Sequence, residues 1–284
     1  MFSRIFTAVI ASSLLLAGCA GKREIEGSSS LKTSFVPSPS LSKPKDADDP
    51  VPLSPAAWMR PGNPAGFAGR TVTVTPGQPI RLRAKEVALT FDDGPVPGKT
   101  ERILAALDQY RVKATFLMVG QMAATYPKIA REVADRGHTI GTHTFDHKNL
   151  AAIGFDAAMA DIARGEKAVA KATGETPGIF RFPYLSDSRR LRGAIAAKGA
   201  AIVDVDVDSK DYFRSSPAEV ATRTLAALRK HNGGIVLMHD IHARTATMLP
   251  ALLAQMKAEG YKIVTLKPVH GSTRTEPLLV ASAD

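Results

Sequence analysis

The segment EVALTFDDGP, residues 86–95, decides the expected fold. Its first six residues, 86–91, form a short, mostly apolar run that is rich in strand-favouring residue types, and such a run predicts a buried strand. Two carboxylates, Asp92 and Asp93, follow at once, and the Gly-Pro pair after them predicts a sharp turn. Catalytic groups in α/β folds collect at the carboxyl ends of strands. Two adjacent carboxylates repel each other unless a cation lies beside them, so this strand end is a candidate site, with an ordinary turn as the alternative.

Strand-like and helix-like segments alternate after this first strand. Such an alternation predicts a parallel sheet with helices outside it, and periodicity leaves open whether the sheet is open or closed as a barrel. Ser188 and Ser216 are expected helix caps, the second with a capping-box glutamate at Glu219. The further strands are expected at 114–119, 138–142, 179–182, 201–205, 235–238 and 262–266, and the helices at 99–110, 122–135, 155–172, 188–197, 217–230 and 245–258.

The segment HTFDH, residues 143–147, follows the third predicted strand. Histidines at positions i and i+4 would share one face of a helical turn. Two imidazoles, one carboxylate and an open position are typical of a catalytic zinc site, and Asp93 is the expected carboxylate. An ordinary pair of surface or core histidines is the alternative.

Three more polar segments end predicted strands: RFPY at 181–184, DSKDY at 208–212 and LMHD at 237–240. Each taken alone has a structural interpretation. Arg181 could form an ion pair, the aspartates could cap a turn, and His239 could be a buried, hydrogen-bonded histidine.

The five segments, taken in this order, resemble the motifs of the polysaccharide deacetylase family, the NodB-homology carbohydrate esterases, which include peptidoglycan and chitooligosaccharide N-deacetylases. The resemblance extends over residues 85–266. It implies an α/β fold, a distorted barrel of seven or eight units with parallel strands. One position departs from the family pattern: Tyr212 stands where the family usually has tryptophan, which leaves the shape of the substrate pocket open.

The resemblance assigns roles to residues of the first three segments. It implies a divalent metal, expected to be zinc, on Asp93, His143 and His147, although this ligand set also suits cobalt or nickel. It further implies that Asp92 is the general base and that Arg181 orients it.

The remaining segments receive the other roles by the same resemblance. His239 is expected to be the general acid, and Asp211 the carboxylate that keeps it charged. The backbone N–H of Tyr184 is expected to help hold the developing oxyanion. Leu237 and Tyr212 are expected to line the pocket for the acetyl methyl group.

The implied function is hydrolysis of N-acetyl groups on N-acetylglucosamine-containing polysaccharide, which would be peptidoglycan, chitooligosaccharide or a surface glycan, with release of acetate. Two alternatives stay open: an O-acetyl esterase acting on acetylated glycans, and a non-catalytic glycan-binding envelope lipoprotein. A pure metal-binding scaffold is disfavoured, since it needs neither a base-orienting arginine nor an acid-tuning carboxylate.

The amino terminus indicates export. Residues 1–18 have a short apolar run too short to span a bilayer and are expected to be a lipoprotein signal peptide. Leu16-Ala17-Gly18-Cys19 resembles a bacterial lipobox, which implies acylation of Cys19, the single cysteine of the chain. An ordinary signal peptide is the alternative. We expect an exported protein, lipid-anchored in the cell envelope and periplasm-facing, or on the outer membrane if the cell has two membranes.

Composition suggests the remaining organisation. Residues 19–64 are rich in proline and serine and predict a tether, 65–84 a hairpin extension, 85–270 the deacetylase domain and 271–284 a tail. The formal net charge is +10, from 37 basic and 27 acidic residues, but no long Lys/Arg run occurs. This scattered charge argues against a nucleic-acid partner. The family resemblance implies an N-acetylated glycan as partner, and the lipobox implies a membrane, reached through the lipid.

Overall fold

The computed structural model of the protein describes residues 66–269. The predicted signal peptide, Cys19, the tether and the tail lie outside the described residues. None of the helices in this described part is both long and apolar enough to cross a bilayer.

Nine strands and seven α-helices alternate along the described chain. The strands are β1 (Ala68–Val74), β2 (Glu86–Asp92), β3 (Thr115–Met118), β4 (Thr139–Thr142), β5 (Ile179–Phe180), β6 (Ala201–Ile202), β7 (Val207–Asp208), β8 (Gly234–His239) and β9 (Lys262–Pro268). The helices are α1 (Thr100–Gln109), α2 (Gly120–Thr125), α3 (Pro127–Asp135), α4 (Phe155–Thr173), α5 (Arg189–Ala197), α6 (Pro217–His231) and α7 (Ala243–Ala258).

The strands form one parallel sheet that is nearly closed on itself. Pairing runs from β2 through β3, β4 and β5 to β6 on one side, and from β2 through β8 to β7 on the other. Among the described residues, β6 and β7 end these two runs of strands and do not pair with each other. The predicted distorted α/β barrel with parallel strands is confirmed, with its seam between these two short strands.

Strand β2 shows how the barrel points polar groups inward. Its seven residues are all buried. Val87, Leu89 and Phe91 pack in the core between sheet and helices, whereas Ala88 packs in the smaller core inside the barrel. Side chains alternate between the two faces of a strand. Thr90 and Asp92 therefore lie on the same inward face as Ala88, which brings Asp92 to the mouth of the barrel.

The predicted hairpin at 65–84 is wrong. The strand β1 is real, but it pairs in parallel with β9 at the far end of the chain. After a turn closed by the N–H of Gln78 on the carbonyl of Thr75, the chain runs to β2 without forming a second strand. Weak alternation identifies a strand but not its partner. The folded domain therefore includes Phe67 and β1 and does not begin at residue 85, because Phe67 is buried in the main core.

Strands β1 and β9 close the amino end of the barrel. The first residues of β9 pair with the first residues of β2, and further along β9 the hydroxyl of Thr139, which begins β4, donates to the carbonyl of Leu266 at 2.5 Å. Its last residue, Pro268, packs against Gly178 just before β5. The β1–β9 pair thus covers the floor of the barrel, which leaves the carboxyl ends of the strands open for a site.

Two local predictions need correction. Residues 122–135 were predicted as one helix, but the chain forms α2 and α3, since Pro127 lacks the N–H that would continue the hydrogen-bond ladder. The predicted strand at 201–205 stops at Ile202, and an unpredicted two-residue strand, β7, follows. The predicted caps are confirmed: Ser188 accepts from the Leu191 N–H, and Ser216 forms the complete capping box.

Candidate active site

The polar side chains predicted from the five segments lie together at the carboxyl ends of β2, β4, β5, β7 and β8. Parallel strands end at one rim of the barrel, so residues far apart in sequence meet there. Three units can be distinguished: a buried carboxylate–arginine pair, a group of one carboxylate and two imidazoles, and a carboxylate–imidazole pair.

Asp92 and Arg181 form the first unit and are both buried. A guanidinium N–H of Arg181 donates to Oδ1 of Asp92 at 2.7 Å, and the same nitrogen donates to the hydroxyl of Thr90 at 2.8 Å. The Arg181 Nε–H donates to the carbonyl of Val203 at 3.0 Å. A buried charge is tolerated when it is paired and fully hydrogen-bonded. The arginine therefore holds Oδ1 of Asp92 in place and leaves Oδ2 on the side of His143, whose Nε2 is 3.8 Å away.

Asp93, His143 and His147 form the second unit. Oδ1 of Asp93 lies 3.2 Å from Nε2 of His147 and 3.6 Å from Nε2 of His143. Ligands of a tetrahedral zinc, each about 2.1 Å from the metal, lie roughly 3.4 Å apart, so these separations fit one ion. Oδ1 of Asp93 is also buried and has no hydrogen-bond partner in the described structure. A buried carboxylate oxygen without a donor is costly, and a divalent cation would satisfy it.

The tautomer of His143 suits a metal ligand. Its Nδ1 lies 2.8 Å from the carbonyl oxygen of Arg181, and because a carbonyl only accepts, Nδ1 carries the hydrogen. The lone pair of Nε2 then faces Asp93. Burial lowers the pKa of His143, more than the nearby carboxylates raise it, which keeps the imidazole neutral. A neutral imidazole fixed by a carbonyl at its other nitrogen is the usual state of a metal-ligating histidine.

Asp93 is ionised despite its position. Burial opposes its ionisation, but the hydrogen-bonding contact with His147 and the attraction of the surrounding histidine rings outweigh it and lower the pKa of Asp93 to about 2. The group thus offers one anionic oxygen and two imidazole nitrogens, a donor set that divalent zinc, cobalt or nickel accepts.

The spacing of His143 and His147 predicted that they share a helical turn, and this prediction is wrong. They lie on an irregular loop after β4 in which Thr144 (φ 66°) and His147 (φ 53°) adopt left-handed conformations. The N–H of His147 donates to the hydroxyl of Thr144 at 3.0 Å. The two rings come within 4.9 Å of each other through this loop geometry and not through helical periodicity.

Helix α4 supports that loop, through residues that sequence reasoning missed. Oδ2 of buried Asp161 accepts the backbone N–H groups of Phe145 and Asp146, each at 3.3 Å. Gly165, one turn further along α4, lies so close to the loop that an added Cβ would be 2.4 Å from the carbonyl carbon of Thr144. An Asp and a Gly four residues apart on one helix face were the available signal, but nothing in the sequence says which loop they contact.

Asp211 and His239 form the third unit. Nδ1 of His239 lies 2.7 Å from Oδ1 of Asp211. Oδ2 of Asp211 accepts the backbone N–H of His239 at 2.7 Å and the hydroxyl of Thr245 at 2.6 Å. Both carboxylate oxygens are therefore hydrogen-bonded inside the protein. Thr245, fully buried in the first turn of α7, is a second residue that the sequence did not single out.

This pairing favours a charged imidazole. Burial lowers the pKa of His239, but the hydrogen bond to Asp211 and the charges of Asp211, Asp93 and Asp92 outweigh it and raise the pKa to about 9. The pKa of Asp211 is lowered, since the same hydrogen bonds and charge outweigh the cost of its burial. With Nδ1 held by Asp211, the other ring nitrogen of His239 is available to a substrate.

The predicted pocket residues lie around these units. Leu237 is buried on β8 beside Thr90. The ring of Tyr212 meets that of His239 edge-on, 5.6 Å between centroids, and its hydroxyl donates to Asp208 at 2.7 Å. Tyr184 has φ 59° and lies 4.8 Å from the ring of His147.

Two neighbours had no predicted role. His242, expected to be a bystander, has its ring 5.7 Å from that of His239. Asp240 is buried beneath Gly94, accepts the hydroxyl of Thr100 at 2.7 Å, and burial raises its pKa to about 7. Its carboxyl helps hold the loop that carries Asp93.

Comparison with known proteins matches this chain to one family. Residues 80–203 match the family model described as polysaccharide deacetylase. A peptidoglycan-N-acetylglucosamine deacetylase of Listeria monocytogenes is 34% identical over 196 residues, 69% of this chain and 41% of that enzyme. The chain thus aligns with less than half of the Listeria protein. A chitin deacetylase of Colletotrichum lindemuthianum is 33% identical over 225 residues, which cover 74% of this chain and 90% of that enzyme.

A solved structure agrees. The peptidoglycan deacetylase of Bdellovibrio bacteriovorus superposes with a TM-score of 0.66 and 32% identity, over 74% of this chain and 62% of that one. The fold, the order of the five segments and identity above 30% over nearly the whole Colletotrichum enzyme lead to one conclusion: the chain belongs to the polysaccharide deacetylase family.

Proposed function

We propose that the protein is a metal-dependent hydrolase that removes N-acetyl groups from N-acetylglucosamine-containing polysaccharide and releases acetate. One observation carries the proposal: a buried, arginine-held carboxylate lies between a metal-fitting group and a carboxylate-paired imidazole. Water activation and leaving-group protonation need these two kinds of group on the two sides of one acetamide. Peptidoglycan, chitooligosaccharide and a surface glycan are the candidate substrates.

In this proposal Asp92 takes a proton from the attacking water at Oδ2, while Arg181 keeps Oδ1 and holds the carboxylate in orientation. Asp93, His143 and His147 would hold a divalent cation, zinc in our proposal, which would supply Lewis-acid polarisation and a lower pKa for water when bound. Because Asp92 and Arg181 are buried and already hydrogen-bonded to each other, little reorganisation is needed when Asp92 accepts the proton of water.

His239 completes the reaction from the other side. Its Nδ1 is occupied by Asp211, so it donates the proton of Nε2 to the departing nitrogen. The backbone N–H of Tyr184 is assigned to the developing oxyanion, and Leu237 and Tyr212 to the acetyl methyl. Loss of one such oxyanion donor costs about 3 kcal/mol.

The acid unit favours the amide over the ester alternative. An amine leaves poorly unless its nitrogen is protonated, and the pKa of His239, raised to about 9, keeps a proton available at neutral pH. An alkoxide leaves an ester more readily and depends less on such an acid. The same observation argues against a binding-only protein, which has no use for a charged, carboxylate-paired histidine.

The decisive experiment is acetate release by the purified full chain, supplied with zinc, from chitooligosaccharides, peptidoglycan and acetylated xylan. Asp92→Asn and a chelator should each abolish release, while Asp156→Asn, a change of an exposed carboxylate on α4, should not. Release from xylan alone would favour the esterase. No release from any glycan, with metal shown to be bound, would reject the proposal.

We also propose that the protein is exported and lipid-anchored through Cys19, on the strength of the lipobox-like sequence alone. Incorporation of labelled fatty acid into the wild-type chain, and not into Cys19→Ala, is the expected result. Equal incorporation would reject the anchor and leave the deacetylase proposal untouched.

A further inference from the structure

A second imidazole, which the reaction as assigned does not use, lies beside the general acid. His242 follows His239 by three residues, and the two rings lie 5.7 Å apart at an angle of 63°. A ring nitrogen of each histidine and a carboxylate oxygen of Asp211 lie within 4.8 Å of one another. The described residues hold one other group of histidine and carboxylate atoms this close together, the metal-fitting group. The acid half is therefore a second place where ligand atoms for a cation converge.

The backbone of His242 is fixed, whereas its side chain is not. His242 is the residue before α7, and its carbonyl accepts the N–H groups of Thr245 at 3.1 Å and Ala246 at 3.4 Å. The half-buried ring has no hydrogen-bond partner among residues 66–269, and its ring contact is with His239. Both nitrogens of His242 are thus available, and the ring can rotate about a fixed position toward a ligand.

His239 is oriented as a metal-ligating histidine is. Asp211 holds its Nδ1 at 2.7 Å, which leaves Nε2 free to meet a ligand. Both oxygens of Asp211 already accept hydrogen bonds, so this carboxylate orients the ring and need not bind a cation itself. A carboxylate on one nitrogen of a histidine and a metal on the other is a recurring arrangement of zinc sites. Asp211 therefore does for His239 what the carbonyl of Arg181 does for His143.

The charges around the two rings favour a cation, but less strongly than those around the metal-fitting group. The negative charges of Asp93 and Asp211 act on both His239 and His242, while the positive charge of Arg244 opposes them at His242. A cation bound to the metal-fitting group would neutralise part of this negative field. The acid half should therefore bind a second cation more weakly than the metal-fitting group binds the first.

We propose that His239 and His242 bind a second zinc ion, with water as the remaining ligands, and that this ion inhibits the enzyme. The inhibition, though not the site, rests on the proposed function. The ion would take the place of the proton on Nε2 of His239, and that proton would pass to solvent. His239 would then have no proton to give to the departing nitrogen. Zinc would thus activate the protein through one half of the site and inhibit it through the other.

His242 carries the activity test, because it has no role in the reaction itself. Acetate release from the chitin pentamer by the wild-type chain should reach its maximum near one equivalent of zinc and fall about fivefold or more in large excess. His242→Ala and His242→Gln should keep the wild-type rate at one equivalent and need about tenfold more zinc for half-inhibition, since one of two protein ligands is lost. His231→Ala, the exposed histidine of α6, is the matched control and should be inhibited as wild type is.

A binding measurement without substrate separates this inference from the proposed function. Equilibrium dialysis against zinc should show a tight and a weaker ion on the wild-type chain, and only the tight one on His242→Ala. This result without acetate release at any zinc concentration would reject the proposed function and keep the second site.

Two results would overturn the inference alone: a weaker ion that His242→Ala and His242→Gln both keep, or excess zinc that inhibits these variants as strongly as wild type. If either variant were slower at one equivalent of zinc, the dialysis result would decide the existence of the site.

Discussion

The two halves of the candidate site differ in how completely the protein itself satisfies their carboxylates. In the metal-fitting half, Oδ1 of Asp93 is buried without a hydrogen-bond partner. In the acid half, both oxygens of Asp211 accept hydrogen bonds, from His239 and Thr245. An aspartate thus has one oxygen without a hydrogen bond in the metal-fitting half, whereas both oxygens of the aspartate in the acid half are hydrogen-bonded.

The difference teaches what each half requires. A buried carboxylate oxygen without a hydrogen-bond donor is balanced by an added cation, so the geometry of this half should depend on metal. The acid half carries its own counter-charge, since His239 is protonated beside Asp211. It should keep its arrangement with or without metal.

Loss of a ligand should break the first half most severely. His147→Ala removes one of three donors, and we expect roughly a thousandfold loss of acetate release because the Lewis acid is lost or misplaced. Calorimetry should show weakened zinc binding. His231→Ala, an exposed histidine in the last turn of α6, is the control and should bind zinc as wild type does. Undiminished zinc affinity in His147→Ala would contradict the ligand assignment.

Loss of Asp211 should break the second half through the proton of His239. The folded pKa of His239 is raised, so the required protonated form is present at lower pH and is lost as pH rises through that pKa. Asp211→Asn should therefore move the alkaline limb of kcat to lower pH by about one unit or more, with roughly a hundredfold lower kcat at neutral pH.

The zinc affinity of the metal-fitting half distinguishes this effect from general damage and should be nearly unchanged in Asp211→Asn. Thr245→Val should lower kcat by less than Asp211→Asn does, because Asp211 then keeps only its two hydrogen bonds from His239, and Thr245→Ser, which keeps the hydroxyl, should restore kcat. An alkaline limb that stays in place in Asp211→Asn would remove His239 as the acid.

The support of the metal loop can be tested without touching a ligand. Asp161→Ala removes the acceptor of two loop N–H groups, and we expect about a 10- to 100-fold loss of zinc affinity because the imidazoles are no longer held in position. Asp156→Ala, on an exposed position of the same helix, is the control. If zinc affinity stayed the same while only the melting temperature fell, Asp161 would be a stabilising residue and nothing more.

The smallest effect on activity at neutral pH is expected from His138, a buried histidine at the amino end of β4, opposite His143. Burial and nearby positive charges lower its pKa from 6.5 to about 4. Below pH 6.5 His138 binds a proton in the unfolded chain but stays neutral in the folded chain, so the free energy of unfolding falls as pH falls toward 4. Urea titrations should show about 2 kcal/mol lost from pH 7 to pH 5 through this group.

His138→Asn should reduce that loss, because asparagine keeps an acceptor for the Ala114 N–H but does not titrate. Equal pH slopes in wild type and variant would mean that other groups cause the acid sensitivity.

Much of the barrel could be predicted because each strand carries its own signal. The segment at 86–95 predicted β2 and the carboxylates after it, and five of the other six expected strands occur within two residues of their predicted bounds, while the one at 201–205 ends early at Ile202. The pairing of β1 with β9 could not be predicted, since two strands almost 200 residues apart leave no mark on each other's periodicity. The two-residue strand β7 is too short for any period to appear.

The residues of the site could be predicted from the sequence, but the backbone geometry that brings them together could not. Asp93, His143 and His147 do meet, but through left-handed loop residues and not through a helical turn. Asp161 on α4 and Thr245 on α7 support the two halves of the site, and the sequences of these helices contain no motif that marks either residue.

The sequence by itself determined the alternation of strands and helices, the chemical types at the strand ends and their order along the chain, because period, turn residues and local polarity are short-range properties. Only the tertiary structure decided which carboxylate is saturated and which is left for a cation, how the barrel floor is closed, and which hydrophobic side chains stay exposed beside the site. Those depend on close approaches between distant segments, such as Gly165 on Thr144 or Thr245 on Asp211, which no local pattern encodes.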